Sequence, residues 1–203
     1  MAGTKEILKR VSIDLFYKKG YFATSISDIA RAAGIQKSSI YYHYATKEDI
    51  LLDILRSTLA DLIVTIERVL ETTAGSENRM RQAILAHTLF HLDRQKEVII
   101  SDSELRGLRA ENYKDIIKMR DEYEHRFQAL IKDGMSDHIF QNGDFKIISY
   151  AVITMCTAPC WWYRPHGRLD KQAIAGIYTD FIMAGLTGNQ RSTGAKSTRK
   201  GRR

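Results

Sequence analysis

Apolar residues recur at intervals of three and four along most of this chain, the period of helices that bury one face. Ile7, Val11 and Leu15 mark a first helix from about Thr4 to Lys19, closed by Gly20. Two short apolar patches follow, Ile29 with Ala30 and Ala33, then Ile35 with Ile40, separated by Gly34. From Lys47 a long stripe runs through Ile50, Leu51, Ile54, Leu55, Leu59, Leu62, Ile63, Ile66 and Leu70, ending near Thr72 to Ser76. The same period predicts further helices from about Asn78 to Leu92, Lys96 to Arg106, Tyr113 to Asp133, Phe145 to Tyr163 and Lys171 to Leu186. With only 2 prolines in 203 residues and few turn clusters, the pattern specifies an all-α chain of about nine helices. Gly188 to Arg203 holds no apolar residue larger than alanine and is expected to be disordered. The division that follows is 1–46, 47–188 and a basic tail, 189–203.

The two short helices carry the chemistry. Ser25 stands at an N-cap position, with Asp28 three residues on favouring the helix dipole. Gly34 sits where a helix ends in a left-handed residue. Ile35 and Ile40 anchor the second helix inward, leaving Lys37, Ser38, Tyr42 and His43 outward, and Thr46 caps the next helix. Two short helices joined by a tight glycine turn, the second polar and aromatic, form a helix-turn-helix, which lays its second helix in the DNA major groove. Lys47 in the first turn of a helix opposes the macrodipole, so a nearby phosphate would account for it.

Phe16, Gly20-Tyr21-Phe22, Thr24-Ser25, Ile29-Ala30, Ala33-Gly34-Ile35, Ile40-Tyr41, His43-Tyr44 and Lys47-Glu48 together resemble the tetracycline-repressor (TetR) family of bacterial transcriptional regulators. Two positions depart: the family usually has Ser or Thr where Gln36 stands, and often Gly where Ser38 stands. The resemblance implies a homodimer on double-stranded palindromic operator DNA, with Lys37, Ser38 and Tyr42 at base edges. Thr24, Tyr41, His43 and Lys47 would hold phosphates, with Ser25 and Gln36 at the two helix starts.

Charge changes the picture once it is divided. The net +7 splits into +5 over residues 1–47, −4 over 48–189 and +6 over 190–203. Positive charge at the DNA-reading end and in the tail, with a mildly acidic body between, suits a DNA reader with a separate sensing domain. The first ten residues are polar and begin directly on an amphipathic helix, so no secretory leader is expected. The uncharged run from Ile147 to Tyr163 carries Ser149, Thr154, Thr157 and Pro159, and reads as a buried core or interface helix rather than a membrane span. A cytoplasmic protein follows, in which Cys156 and Cys160 are small buried hydrophobes.

No catalytic constellation can be assembled, so an enzyme is not expected, nor a cofactor or a metal. His87 and His91 have zinc-pair spacing, but Thr88 stands where a metalloprotease places its glutamate; they read as surface or pocket-lining residues. The second unusual run is Trp161-Trp162-Tyr163-Arg164-Pro165-His166-Gly167-Arg168-Leu169. One reading is a core plug with a Pro-Gly turn. With Ser103-Glu104-Leu105-Arg106 and Arg120 to Glu124, it also resembles a TetR subgroup that senses acyl-coenzyme A thioesters and controls fatty-acid or steroid breakdown. That resemblance implies a small-molecule effector whose apolar tail meets Met119, Tyr123, Phe127, Met155, Trp161 and Trp162. Its phosphates would meet Arg106, Arg109, Arg120, Arg164 and Arg168. A neutral aromatic effector and an efflux target gene are the alternative.

Overall fold

The computed structural model describes residues 3–188; the tail expected to be disordered lies outside the described residues. Among the described residues, nine helices of seven residues or more make up the architecture: α1 (Thr4–Lys19), α2 (Ile26–Ala33), α3 (Lys37–His43), α4 (Lys47–Glu71), α5 (Ser76–Asp93), α6 (Gln95–Ser103), α7 (Ala110–Ser136), α8 (Phe145–Thr157) and α10 (Lys171–Thr187). A single turn, α9 (Pro159–Trp162), and a 3-10 turn (Leu105–Gly107) complete it, with no strand among the described residues.

Local chemistry sets most of the boundaries. Thr46 and Asp49 cap α4 reciprocally, the Thr46 hydroxyl accepting from the Asp49 amide at 3.2 Å and the Asp49 carboxylate from the Thr46 amide at 2.8 Å. Asp144 accepts from the amides of Lys146 and Ile147 at the start of α8, and Asp170 from Ala173 at the start of α10. The single helix expected over Phe145 to Tyr163 is divided. It ends at Thr157, and Pro159 opens a separate turn because proline has no N–H to continue the ladder. The helix expected to reach Arg106 stops at Ser103, and the chain turns through Leu105–Gly107 instead.

Two large apolar cores result, joined by α4, beside a small cluster of Leu92, Tyr163 and Ile174. One packs Leu8, Phe16, Ile29 and Ile40 against Leu51, Ile54 and Leu55 of α4, with Ile100 and Ile116 closing it from α6 and α7. The other packs Leu62 and Ile66 of α4 with Met80, Ile84, Phe127, Ile131, Val152, Cys156, Ile182 and Met183. Cys156 and Cys160 are free and buried, and burial pushes each thiol up to about 12, so both act as apolar filling. No helix among the described residues is long and apolar enough to cross a membrane.

Candidate nucleic-acid interface and ligand cavity

The first core exists to hold α3 outward. Ser25 caps α2: its hydroxyl accepts from the Asp28 amide at 3.1 Å while the Asp28 carboxylate accepts from the Ser25 amide at 3.0 Å. The Ser25 hydroxyl, which donates to the Asp28 carboxylate at 2.7 Å, and then the Ser25 amide hold that carboxyl below its ordinary range. Gly34 ends α2 at φ 69° and ψ 28°, left-handed backbone that a Cβ would strain. Gln36 stands at the N-cap of α3 with no side-chain bond, the weaker cap expected of it. Ile40 is the one buried residue of α3. The outward face presents Lys37, Ser38, Tyr41 and Tyr42, with Tyr42 85% exposed and the half-buried His43 packed edge-on against it.

Thr24 and Lys47 both find partners within the protein. Thr24 is buried; its hydroxyl donates to the Gly20 carbonyl at 2.8 Å and its amide to Tyr21. Lys47 donates to the carbonyls of Tyr21 and Thr24, at 2.8 Å each, and lies 4.2 Å from the Tyr21 ring centroid. Burial lowers its pKa, and nearby Glu104 partly offsets that. Two backbone carbonyls therefore offset the cost of a lysine that the macrodipole disfavours. Glu48 continues this joint: it accepts from the Arg109 amide at 2.8 Å and from Asn112 at 2.7 Å, and pairs with the Arg109 guanidinium at 3.0 Å. Arg106 lies over the Phe22 ring. Two of the five arginines expected on a ligand, Arg106 and Arg109, are thus engaged at the joint between the helix-turn-helix and α7.

A cavity of about 280 Å³ opens where α4 to α8 converge. Thr58, Leu59 and Leu62 reach it from α4, His87, Phe90 and His91 from α5, and Val98, Ser101 and Asp102 from α6. Arg120, Tyr123 and Glu124 face it from α7, and Tyr150, Ile153 and Thr157 from α8. Inside, His87 bonds through Nδ1 to the Tyr123 hydroxyl at 2.5 Å and through Nε2 to Thr157 at 3.1 Å. His91 stacks on it, ring centroids 3.9 Å apart. Burial lowers the pKa of His87 well below the ordinary value, with protonation of His91 acting in the same direction, and brings His91 to about 4, so both are neutral at pH 7. Arg120 donates to the Ser101 carbonyl at 2.8 Å and its hydroxyl at 3.1 Å, and pairs with Asp102 at 3.2 Å. Burial raises the Asp102 carboxyl, and Arg120 opposes the shift.

The ligand residues expected from sequence are not one cluster. Arg120 and Tyr123 line this cavity, and Phe127 packs behind it against His87. Met155 lines a separate groove with Phe181, and Met119 is half-buried elsewhere on α7. Trp162, Arg164 and Arg168 share a second concavity of about 290 Å³, where Trp162 stacks on Tyr178. Trp161 stands beside it half in solvent. Sequence reasoning missed Thr58, Leu59 and Leu62; their stripe on α4 was legible, but not the gap left beside it. Among the described residues no group of His, Cys, Asp and Glu could hold a metal ion.

Comparison with known proteins agrees with this geometry. Residues 8–54 match the family model for bacterial regulatory proteins of the tetR family, and residues 73–186 match that for the tetracyclin repressor-like C-terminal domain. The transcriptional repressor KstR2 of Mycolicibacterium smegmatis is 23% identical over 191 residues, 93% of either chain. PfmR, a TetR family transcriptional regulator from Thermus thermophilus, is 30% identical with a TM-score of 0.81, over 89% of this chain and 98% of that one. AibR, solved with isovaleryl coenzyme A and operator DNA, shares the fold at 22% identity and a TM-score of 0.81, over 91% and 98%. With both halves matched and α3 presented outward on its own core, the chain belongs to the tetR family of bacterial transcriptional regulators, which are not enzymes.

Proposed function

We propose that this chain is a ligand-responsive repressor that binds a palindromic operator as a homodimer, and that its effector is a coenzyme A thioester from fatty-acid or steroid breakdown. The observation that carries the reading is the cavity, which touches α4 directly through Thr58, Leu59 and Leu62. A ligand there displaces the helix whose first turn holds the head through Lys47 and the start of α7 through Glu48. Its volume sits near the lower end of the roughly 300–1,000 Å³ usual for small-molecule sites, so it suits the acyl portion, with Arg120 at the polar rim. The exposed Trp162–Arg164–Arg168 concavity has the aromatic and cationic character that a nucleotide phosphate portion requires. Residues 1–46 read the operator, with Lys37, Ser38 and Tyr42 toward base edges and Tyr41 and His43 toward phosphates.

The exposed apolar stripe supports the dimer. Ile147 and Trp161 on α8 and α9, and Ile177 and Phe181 on α10, are exposed large apolar residues. Burying such a stripe against its own copy across a two-fold axis is the economical solution.

One observation favours a second reading, an uncharged aromatic effector of an efflux regulator. Of the five arginines, only Arg120 borders the cavity, and Asp102 and Glu124 border it too. Titrating acyl-CoAs and their free acids against the protein–operator complex separates the two. A thioester sensor responds to the acyl-CoA at concentrations where the free acid is silent. Response to uncharged aromatics and to no thioester replaces it with the second reading.

A further inference from the structure

One acceptor in the cavity has no partner. The His91 Nδ1 lies 2.9 Å from the His87 carbonyl oxygen. A carbonyl only accepts, so Nδ1 carries the proton and donates. In a neutral imidazole the other nitrogen is then a bare acceptor. Nε2 lies on the far side of the ring from the helix backbone, and it has no hydrogen-bond partner among the described residues. The ring is only 6% exposed, and stacking on His87 fixes its plane. The neighbouring His87 is different: both of its nitrogens are matched, by Tyr123 and Thr157. His91 lines the cavity, so a ligand that shuts water off from this acceptor without supplying a donor loses affinity, and a donor-bearing ligand binds more tightly than an analogue that cannot donate.

We propose that His91 is the specificity-determining residue of the cavity, its Nε2 accepting a hydrogen bond from a hydroxyl or amide N–H of the effector. The inference rests on reading the cavity as the effector site, but not on the effector being a thioester. It selects a hydroxylated or amide-bearing molecule over its deoxygenated or purely carbonyl-bearing counterpart. Burial, which brings the His91 pKa to about 4, keeps the acceptor available throughout the neutral range.

Imidazole ¹H–¹⁵N spectra of the full chain test the tautomer first. His91 is expected as the Nδ1–H form, with an unprotonated Nε2. Binding then uses two matched pairs, 3-hydroxybutyryl-CoA against butyryl-CoA and, without coenzyme A, phenol against anisole. The wild type is expected to prefer the donor-bearing member by about tenfold, the order of one well-made hydrogen bond. His91→Phe keeps a ring on His87 and is expected to lose the preference, while His91→Gln, which restores an acceptor, keeps part of it. Preference within the phenol pair alone, with both thioesters silent, overturns the thioester reading and upholds this one. A protonated Nε2, no preference in either pair, or a preference that survives in His91→Phe overturns the proposal. If His91→Phe does not fold, the wild-type spectra and both pairs decide the matter.

Discussion

The two cores use the same residue types to opposite ends. Around α1 to α3, Leu8, Phe16, Ile29, Ile40 and Leu51 are fully or almost fully buried, and Thr24 and Ser25 find their partners within four residues. Around α5, α7 and α8 the apolar residues are buried just as deeply, but a 280 Å³ space remains beside them. Its polar groups find partners tens of residues away in sequence, as His87 does with Tyr123 and Thr157. A DNA-reading helix must be aimed within a fraction of an ångström, and close packing with local capping achieves that. A sensor must keep room for a ligand, and that room costs stability. The joint is built like the first core. A Cβ on Gly107 would meet the Tyr21 ring at 2.7 Å, so the segment before α7 lies directly against the head.

The sharpest way to break this comparison is at the exposed stripe. Phe181→Glu changes a residue that is 69% exposed, so the fold of the protomer should survive, as circular dichroism would report. If the stripe pairs two copies, sedimentation should show monomers, with operator affinity reduced by about 100-fold or more as the linked second head is lost. An intact dimer places the interface elsewhere. Next in size is Phe127→Ala, expected to cost about 3–5 kcal/mol in chemical denaturation. A cost below about 2 kcal/mol would mean that the wall behind the cavity is already loose.

In the body, acid acts through the two cavity histidines. The folded-state pKa values of His87 and His91 lie below their unfolded value near 6.5. The unfolded chain therefore binds more protons, and stability falls as pH drops below that value, continuing to about 4 for His91. Each histidine contributes a slope of up to about 1.4 kcal/mol per pH unit. Replacing His91 with Phe should flatten the loss between pH 6.5 and 4; an unchanged slope would assign it to other groups. Smallest is Ser25→Ala, which removes the α2 cap and should cost about 1 kcal/mol in a thermal or denaturant melt. No measurable cost would mean that the Gly34 turn and Ile29 alone hold α2.

The head was legible because its determinants are local. Ser25 with Asp28, Gly34, Thr46 and the inward Ile40 each act within one turn, and each sits where its spacing placed it. Even there, the sequence shows only a cation opposing the dipole at Lys47, and it is the fold that brings the Tyr21 and Thr24 carbonyls to it. In the body, helical period located α4, α5, α7 and α10 to within a few residues, while the candidate ligand set scattered over three surfaces.

The sequence by itself determined the all-α class, the helix-turn-helix, the outward face of α3 and the family, since caps, glycine turns and apolar period are properties of neighbouring residues. Tertiary structure alone decided which arginines are free, which histidine nitrogen lacks a partner and where a cavity opens. Those depend on five helices meeting at a point, and on burial that fixes protonation, neither of which spacing along one helix encodes.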